Sequence, residues 1–333
     1  MKIAFFESNN ELKSYMKKAF PKDNLLFFEA PLTESHIPKI KNVDAISVFI
    51  HSNVTKEIIS NLTKIKLIST RSTGYDHIDV EFCKTINLPI CNVPYYGENT
   101  VAEHTFALIL GLSRKIHQTH ERITHQDYSI DGLQGFDLKD KTIGIIGGGS
   151  IGMHVARMAK GFEMHVRVFD VKPNPLLASV LGFKYVTLDE LFKVSDVISL
   201  HVPYNKHTHH LINKNSLKKI KKGAIIINTA RGGIINTDAL YSALTSGHLA
   251  GAGLDVIEGE EYITEEREIT QKKGHISAWK QVVQGQKIFK MDNVIFTPHN
   301  AFNSKEATLR IIETAAESIK SLKSKEILNA VKF

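Results

Sequence analysis

Three polar residues in the last third of the chain could together carry acid–base chemistry on a small anionic substrate. Arg231 follows the apolar run AIIINTA, Glu260 follows AGAGLDV, and His299 follows NVIFTP. An arginine fork can hold a carboxylate, a histidine can exchange a proton near neutral pH, and a carboxylate can set the pKa of that histidine. Ligands of open α/β sheets bind beyond the carboxyl ends of strands. These three residues are therefore predicted to meet in one catalytic site.

A glycine-rich stretch, GIIGGGSIGM at residues 144–153, could hold a cofactor for that chemistry. Gly147, Gly149 and Gly152 form G-x-G-x-x-G between a strand-like run, TIGII, and a helix-like run, SIGMHVARMAKGF. In that context the glycines allow a tight turn, approach of a pyrophosphate and packing of helix on strand. Asp170 follows at the spacing of a carboxylate that binds the adenosine ribose and repels a 2′-phosphate. The stretch therefore predicts a dinucleotide site that favours NAD over NADP.

The elements that must position these residues follow an α/β pattern. Apolar runs such as KIAFF, DAISVFI and KLIST alternate with helical segments, and a second series begins near residue 142. Such alternation predicts parallel sheets with crossover helices, and a length of 333 residues favours two domains. One long helix is predicted over 100–123 and an amphipathic helix over 304–324. The charged stretch 261–291 is too long for an ordinary connection and predicts a functional or interface excursion.

Composition excludes several other classes of protein. The net charge of +7 is scattered apart from short clusters such as KKIKK, which indicates a solvated basic face and no nucleic-acid partner. The longest apolar runs are far below the roughly 20 residues of a membrane span, and the apolar run in MKIAFFESNN is too short for a secretory signal, so neither is expected. Cys83 and Cys91 suggest neither a disulfide framework nor a zinc site, so a reducing cytoplasm is expected. The HTHH cluster at 207–210 lacks supporting ligands, and no metal is predicted.

Several motifs, in order, resemble those of one enzyme family. They are STRSTGYDHID, VPYYGENTVAEH, GIIGGGSIG, HVPYNKHTHHLIN, INTARGGIINTDAL, GLDVIEGE and TPHNAF. On these the chain is identified as a member of the D-isomer-specific 2-hydroxyacid dehydrogenase family, most similar to its D-lactate dehydrogenase branch. The resemblance implies two doubly wound parallel-sheet domains, with a Rossmann NAD-binding domain (100–299) inserted into a flavodoxin-like substrate domain (1–99 plus 300–333). It also implies a homodimer.

The resemblance assigns a role to each candidate residue. Arg231 would hold the substrate carboxylate and polarise the keto oxygen, His299 would donate the proton, and Glu260 would hydrogen-bond the imidazole. The implied substrate contacts are Thr73, Gly74, Tyr96 and Phe302. The implied cofactor contacts are Gly147, Gly149, Ser150, Ile151, Gly152, Asp170, Val202, Pro203, Thr208, Thr229, Ala230, Arg231 and Asp255.

The implied activity is reversible reduction of a 2-keto acid, with pyruvate favoured, by hydride transfer from NADH. A formate dehydrogenase is disfavoured because that enzyme pairs its histidine with glutamine, whereas Glu260 is a carboxylate. A glyoxylate or hydroxypyruvate reductase shares the same three catalytic residues and stays open. So does a non-enzymatic NAD sensor, because co-repressors are built on the same fold.

Overall fold

The computed structural model of the chain describes residues 1–259, 285–324 and 326–332, which fall into two compact units. The first unit comprises Met1–Gly97 and Ser304–Phe333, and the second comprises Glu98–Asn303. Each contains one all-parallel sheet with helical connections. The predicted fold class, with one α/β unit inserted into another, is therefore confirmed.

The sheet of the first unit has the strand order β2-β1-β3-β4-β5. This is the flavodoxin-like order, in which the strand order reverses between β1 and β3 and leaves a crevice at their carboxyl ends. Its strands are β1 (Lys2–Phe5), β2 (Asn24–Phe27), β3 (Ala45–Val48), β4 (Leu67–Thr70) and β5 (Ile90–Cys91). Its helices are α1 (Asn10–Ala19), α2 (Ile37–Ile40), α3 (Lys56–Ser60), α4 (Val80–Thr85) and the C-terminal helix (Lys305–Lys320).

The sheet of the second unit has the order β12-β11-β10-β9-β6-β7-β8, the Rossmann order extended by one parallel strand. Its strands are β6 (Thr142–Ile146), β7 (His165–Phe169), β8 (Lys184–Tyr185), β9 (Val197–Leu200), β10 (Ala224–Asn228), β11 (Leu249–Leu254) and β12 (Val294–Phe296). Its helices are α5 (Glu98–Ser113), α6 (Ile116–Thr124), α7 (Ser150–Gly161), α8 (Pro175–Leu181), α9 (Leu188–Val194), α10 (Lys214–Leu217) and α11 (Thr237–Thr245), with residues 285–289 also helical.

Two helices, α5 and the C-terminal helix, pack uncharged faces against the strands of their own unit. Helix α5 buries Phe106 and Ile109 among the β-strand side chains Ile143 and Ile227 of the second unit. The C-terminal helix begins at Ser304, whose side chain accepts from Ala307 N, and buries an apolar stripe in the first unit. Each fully buried aliphatic side chain contributes about 1.5 to 3 kcal/mol to the free energy of unfolding. The amphipathic helix predicted near the C-terminus is confirmed.

The structure differs from the sequence predictions at one helix and one strand. The helix predicted over 100–123 is two helices, because Lys115 has the left-handed φ of 53° and Ser113 O accepts Phe136 N from a later loop. Strand β8 was not predicted, since two residues carry no alternation. The predicted excursion at 261–291 lies mostly outside the described residues. In the part of the chain that the structure describes, no helix has the length and apolar character to cross a membrane.

Candidate active site

The register of five neighbouring strands in the second sheet determines where the segments with the predicted site residues begin. Ile146 pairs with Leu200, Leu200 with Asn228, Asn228 with Leu254, and Leu254 with Phe296. Neighbouring strands lie about 4.8 Å apart. The segments that follow this row of paired residues therefore emerge side by side at the carboxyl edge, and they begin with Gly147, His201, Thr229, Asp255 and Thr297.

The turn that carries Arg231 is closed by the side chain of Asn228, which is 1% exposed. The Asn228 carboxamide oxygen accepts Ala230 N at 3.0 Å, and its amide nitrogen donates to Arg231 O at 3.0 Å. Arg231 has extended backbone angles, and its Nη1 donates to Ala230 O at 2.7 Å. The carboxamide thus satisfies both ends of a short turn, which fixes the backbone from which the guanidinium projects.

The turn that carries His299 closes around Asp255, which is also 1% exposed. Asp255 Oδ1 accepts Thr297 Oγ1 at 2.5 Å and Asn300 N at 3.0 Å, while Oδ2 accepts Ala301 N at 2.9 Å. His299 N donates to Asp255 O at 2.8 Å, and His299 adopts a left-handed φ of 51°. A non-glycine residue in that region is held there by its surroundings. Asp255, predicted as a cofactor contact, therefore also builds the turn of the proposed proton donor.

Helix α5 adds a polar contact to the same turn. His104 Nε2 lies 2.9 Å from Thr297 Oγ1 and 3.6 Å from Asp255 Oδ1. Because the Thr297 hydroxyl donates its only hydrogen to the carboxylate, His104 Nε2 is the donor to Thr297. Thr105 Oγ1 lies 3.1 Å from Thr229 Oγ1, a predicted cofactor contact. No local sequence pattern indicates which residues His104 contacts.

The glycine turn between β6 and α7 has the shape that a dinucleotide needs. Gly147 has a φ of 105°, and a Cβ there would lie 2.4 Å from His201 O. A Cβ on Gly152 would lie 2.0 Å from Gly147 O, whereas one on Gly149 would meet no atom within 4 Å. Gly149 is the N-cap residue of α7, so open space lies at the positive end of that helix. The turn therefore fits a pyrophosphate at Gly149, with exposed Ser150 and half-buried Ile151 beside it.

Asp170 directly follows β7, next to this turn. Its Oδ2 accepts Gly148 N at 2.6 Å, and its Oδ1 accepts Lys172 N at 2.7 Å. Both oxygens are held by backbone amides, which places a negative charge at the position predicted to contact the adenosine ribose. The carboxylate would disfavour a 2′-phosphate there.

The other predicted cofactor contacts lie on the loops after β9 and β10. Val202 approaches the glycine turn, since a Cβ on Gly147 would lie 3.0 Å from its Cγ1. Thr208 Oγ1 donates to Pro203 O at 2.6 Å, which closes the loop they share. Asn300 Oδ1 is buried and has no hydrogen-bond partner among the described residues, so it offers an acceptor beside the His299 turn.

Three of the four predicted substrate contacts, Thr73, Gly74 and Tyr96, lie in the first unit. Thr73 Oγ1 donates to Val93 O at 2.8 Å, and Asn92 Nδ2 donates to Thr73 O at 2.8 Å. The loop of Thr73 and Gly74 is thereby fastened beside the segment that leads to Tyr96, whose carbonyl accepts Arg310 Nε at 2.5 Å. Within the described residues, the Thr73 and Gly74 amides have no hydrogen-bond acceptor. Two adjacent free amides suit a carboxylate.

Two charged residues at this carboxyl edge were missed by the sequence reasoning. Arg71, which follows β4, donates to Phe6 O at 2.6 Å and to Ser47 Oγ at 3.0 Å, and burial lowers its pKa to about 10. Glu7 accepts Phe49 N at 2.8 Å from the loop after β3. The position of Arg71 immediately after a buried strand, inside the quoted motif STRSTGYDHID, was the available signal.

The structure describes only one of the two remaining predicted site residues. Glu260 lies outside the described residues, and Phe302 is half-buried in the second unit three residues after His299. No group of three or more metal-ligating side chains occurs in the described ranges. At the start of α4, Asp79 accepts Phe82 N at 2.9 Å.

The chain is similar over nearly its whole length to known dehydrogenases and reductases. Residues 106–301 match the family profile described as "D-isomer specific 2-hydroxyacid dehydrogenase, NAD binding domain". The D-lactate dehydrogenase of Escherichia coli is 32% identical over 98% of both chains, and a glyoxylate reductase of Thermococcus litoralis is 34% identical over 90% of this chain and 86% of that protein. A crystal structure of D-lactate dehydrogenase from Aquifex aeolicus, complexed with NAD and lactic acid, superposes with a TM-score of 0.88 at 36% identity, covering 96% of this chain and 95% of the other.

The fold and the glycine turn define a Rossmann-type oxidoreductase that uses NAD. The chain belongs to the D-isomer-specific 2-hydroxyacid dehydrogenase family, close to the D-lactate dehydrogenases. The resemblance inferred from the motifs is thus confirmed, and so is the predicted cofactor.

Proposed function

We propose that the protein reduces a short 2-keto acid, with pyruvate preferred, to the D-2-hydroxy acid. The main support for this proposal is the row of paired strand residues from Ile146 to Phe296. Because of this pairing, the glycine turn, Arg231 and His299 all follow strand ends at one edge of one sheet. That edge offers a cofactor cradle, a carboxylate-binding cation and a proton donor. The similarity to D-lactate dehydrogenases supports pyruvate as the first substrate to test.

Each residue has a defined part in the proposed mechanism. Arg231 binds the substrate carboxylate with its planar fork and polarises the keto oxygen. NADH, when bound, supplies the hydride. His299 gives its proton to the developing alkoxide and takes it back in the oxidation direction, while Glu260 would favour the protonated imidazole. Thr73, Gly74, Tyr96 and Phe302 stay predicted substrate contacts.

A substrate panel tests the proposal. The purified protein is assayed with pyruvate, phenylpyruvate, 2-ketobutyrate, glyoxylate and hydroxypyruvate, each with NADH and NADPH, and the product configuration is determined. We expect the highest kcat/KM with pyruvate and NADH, and a D product. Arg231→Lys should raise the KM for the keto acid strongly, because a point charge cannot replace a bidentate fork. Arg114→Lys, at an exposed position of the second unit, is the control.

Two alternatives are decided by the same assay. A glyoxylate reductase, favoured by the 34% identity to the Thermococcus litoralis protein, would show its highest kcat/KM with glyoxylate or hydroxypyruvate. An NAD-sensing protein would bind NADH without reducing any keto acid. Absence of turnover on the whole panel would remove the enzymatic proposal.

We also propose a homodimer that forms in the cytoplasm. Four large apolar side chains lie exposed on α6 and the following segment: Ile116 at 59%, Ile123 at 44%, Tyr128 at 77% and Ile130 at 82%. Exposed apolar groups concentrated on one segment are typical of an interaction surface. Light scattering after size-exclusion chromatography should give twice the chain mass, and Ile130→Asp should reduce it.

Cys83 and Cys91 are buried free thiols, which suits a reducing compartment. Cell fractionation tests the proposed location in the cytoplasm.

A further inference from the structure

Glu258 is a largely buried carboxylate whose two oxygens join three segments of the second unit. Its Oε1 lies 2.6 Å from His210 Nε2, and its Oε2 accepts Thr237 N at 3.3 Å and Thr237 Oγ1 at 3.1 Å. The side chains of Glu258 and His210 are only 15% and 28% exposed. An ionised carboxylate only accepts, so His210 Nε2 carries the hydrogen. Glu258 therefore connects the loop after β9, the start of α11 and the loop after β11.

Contacts other than the one to Glu258 also hold His210 in place. It has a left-handed φ of 48°, and its ring stacks on that of His209 at a centroid distance of 3.8 Å. The His209 Nδ1 is in turn 3.0 Å from the Tyr204 hydroxyl. A residue held at positive φ with an ordered ring is a fixed anchor. These contacts give the HTHH motif a structural use that does not involve a metal.

The same anchor is bonded to the turn that carries Arg231. His210 N donates to Gly233 O at 2.9 Å, and Ile212 N donates to Ile234 O at 3.1 Å. A Cβ on Gly232 would lie 2.1 Å from the carbonyl carbon of Ile257, so the backbone before Glu258 packs directly on the residue after Arg231. Asn228 closes the beginning of this turn, and Glu258 secures its end at Thr237.

We propose that the Glu258–His210 pair is a positioning device for Arg231, and this inference rests on the proposed function. The pair acts on Arg231 through the backbone of residues 232–237 and does not itself touch the substrate. When the pair is broken, the guanidinium fork loses its alignment with the substrate carboxylate. Misalignment by about 1 Å can cost a reaction on the order of 100-fold.

The kinetic test uses Glu258→Gln, His210→Ala and His210→Gln. Glu258→Gln cannot accept from both His210 and Thr237 in the native geometry, so the KM for the keto acid should rise about 10- to 100-fold, with the Kd for NADH within about twofold. His210→Ala should do the same, whereas His210→Gln keeps an N–H donor and should restore most of the loss. Asp196→Asn is the matched control, because Asp196 accepts Thr142 N at 2.9 Å and pairs with Lys221 at 2.7 Å, but precedes β9 at the opposite edge.

A second measurement does not depend on activity. Hydrogen exchange at the amides of Ile234, Asn236 and Thr237 should be at least about tenfold faster in Glu258→Gln than in the wild type, and unchanged in Asp196→Asn. Unchanged exchange overturns the inference, whatever the kinetics. Faster exchange with an unchanged KM for the keto acid also overturns it, since the turn would then move without affecting Arg231.

The two proposals fail in distinguishable ways. If the wild type neither reduces a keto acid nor binds oxamate, a non-reducible carboxylate analogue, in the presence of NADH, the proposed function fails. The exchange experiment still decides whether Glu258 orders the turn of Arg231. A fall of the folded fraction in Glu258→Gln, with normal kinetics for the folded protein, would show a purely structural pair and would overturn the inference.

Discussion

Asn228 and Asp255 are joined by a backbone hydrogen bond, from Asp255 N to Asn228 O at 2.9 Å, and each closes the turn of a different proposed catalytic residue. They stand one position apart in the ladder, because Asn228 pairs with Leu254. Asn228 clamps the turn of Arg231, and Asp255 clamps the turn of His299. The relative placement of the two turns is therefore set by neighbouring strands and by two buried side chains.

Replacing Asp255 by Asn should damage both folding and turnover. An amide offers one acceptor oxygen where Thr297 Oγ1, Asn300 N and Ala301 N now share two, so at least one buried donor loses its partner. The cost in the free energy of unfolding is about 1 to 3 kcal/mol, and kcat should fall by about tenfold or more because His299 shifts. Urea unfolding and steady-state assays measure the two effects.

The control for that substitution is Asp44→Asn in the first unit. Asp44 also accepts a backbone amide, Lys2 N at 2.8 Å, and Lys66 holds its carboxyl pKa below the ordinary value, but it precedes β3 at the amino edge. The Asp44→Asn variant should have a lower free energy of unfolding and an unchanged kcat. Normal turnover in Asp255→Asn would show that the His299 turn does not depend on this carboxylate.

His299→Gln should lower kcat by about 10²- to 10⁴-fold, the usual contribution of a general acid. Glutamine keeps a polar side chain in the turn but cannot deliver a proton at neutral pH. The Kd for NADH, measured by fluorescence titration, should stay within about twofold, because the glycine turn lies on a different strand end. His165→Gln, at an exposed position in β7, should change neither quantity. A kcat close to that of the wild type would exclude His299 as the proton donor.

The two sheets could be predicted from sequence because buried parallel strands appear as continuous apolar runs, such as AIIIN before Arg231. Strand β8 could not, since Lys184–Tyr185 has no such signal and pairs with β7 only because chain geometry brings it there. The break at Lys115 depends on Phe136, more than twenty residues away.

The proposed site residues could be chosen from the sequence where chemistry requires a residue type, and less readily where a residue acts through others. Arg231 and His299 could be chosen because each follows a strand and has a reactive side chain. Asn228 is an unremarkable polar residue in INTARGG, and its clamp is visible only once the turn is folded. The pairing of His210 with Glu258 spans 48 residues and is set by the register of three strands, which no local pattern encodes.

Gly149→Ala should separate cofactor binding from folding. A methyl group there meets no atom within 4 Å, and because Ala is a poorer N-cap than Gly, the free energy of unfolding should fall by about 1 kcal/mol or less. The same methyl would occupy the space predicted for the pyrophosphate, and the Kd for NADH should rise at least about tenfold. Gly161→Ala, at the other end of α7 and equally open, is the matched control and should leave NADH binding unchanged. Equal NADH affinity in both variants would place the phosphates elsewhere.

His201 should make the fold sensitive to acid. It lies between β9 and the glycine turn, its Nε2 is 2.7 Å from Ser199 Oγ, and burial lowers its pKa to about 3. The unfolded chain binds the proton near its ordinary pKa of about 6.5, so the folded state is fully favoured above that pH and loses stability as the pH falls from about 6.5 toward 3. Because of His201, the free energy of unfolding of the wild type should fall by about 2 kcal/mol between pH 7 and pH 5. This loss should be absent in His201→Asn, and urea unfolding of both proteins at both pH values measures it. A constant difference in stability between the two proteins would mean that His201 is protonated in the folded protein as readily as in the unfolded chain.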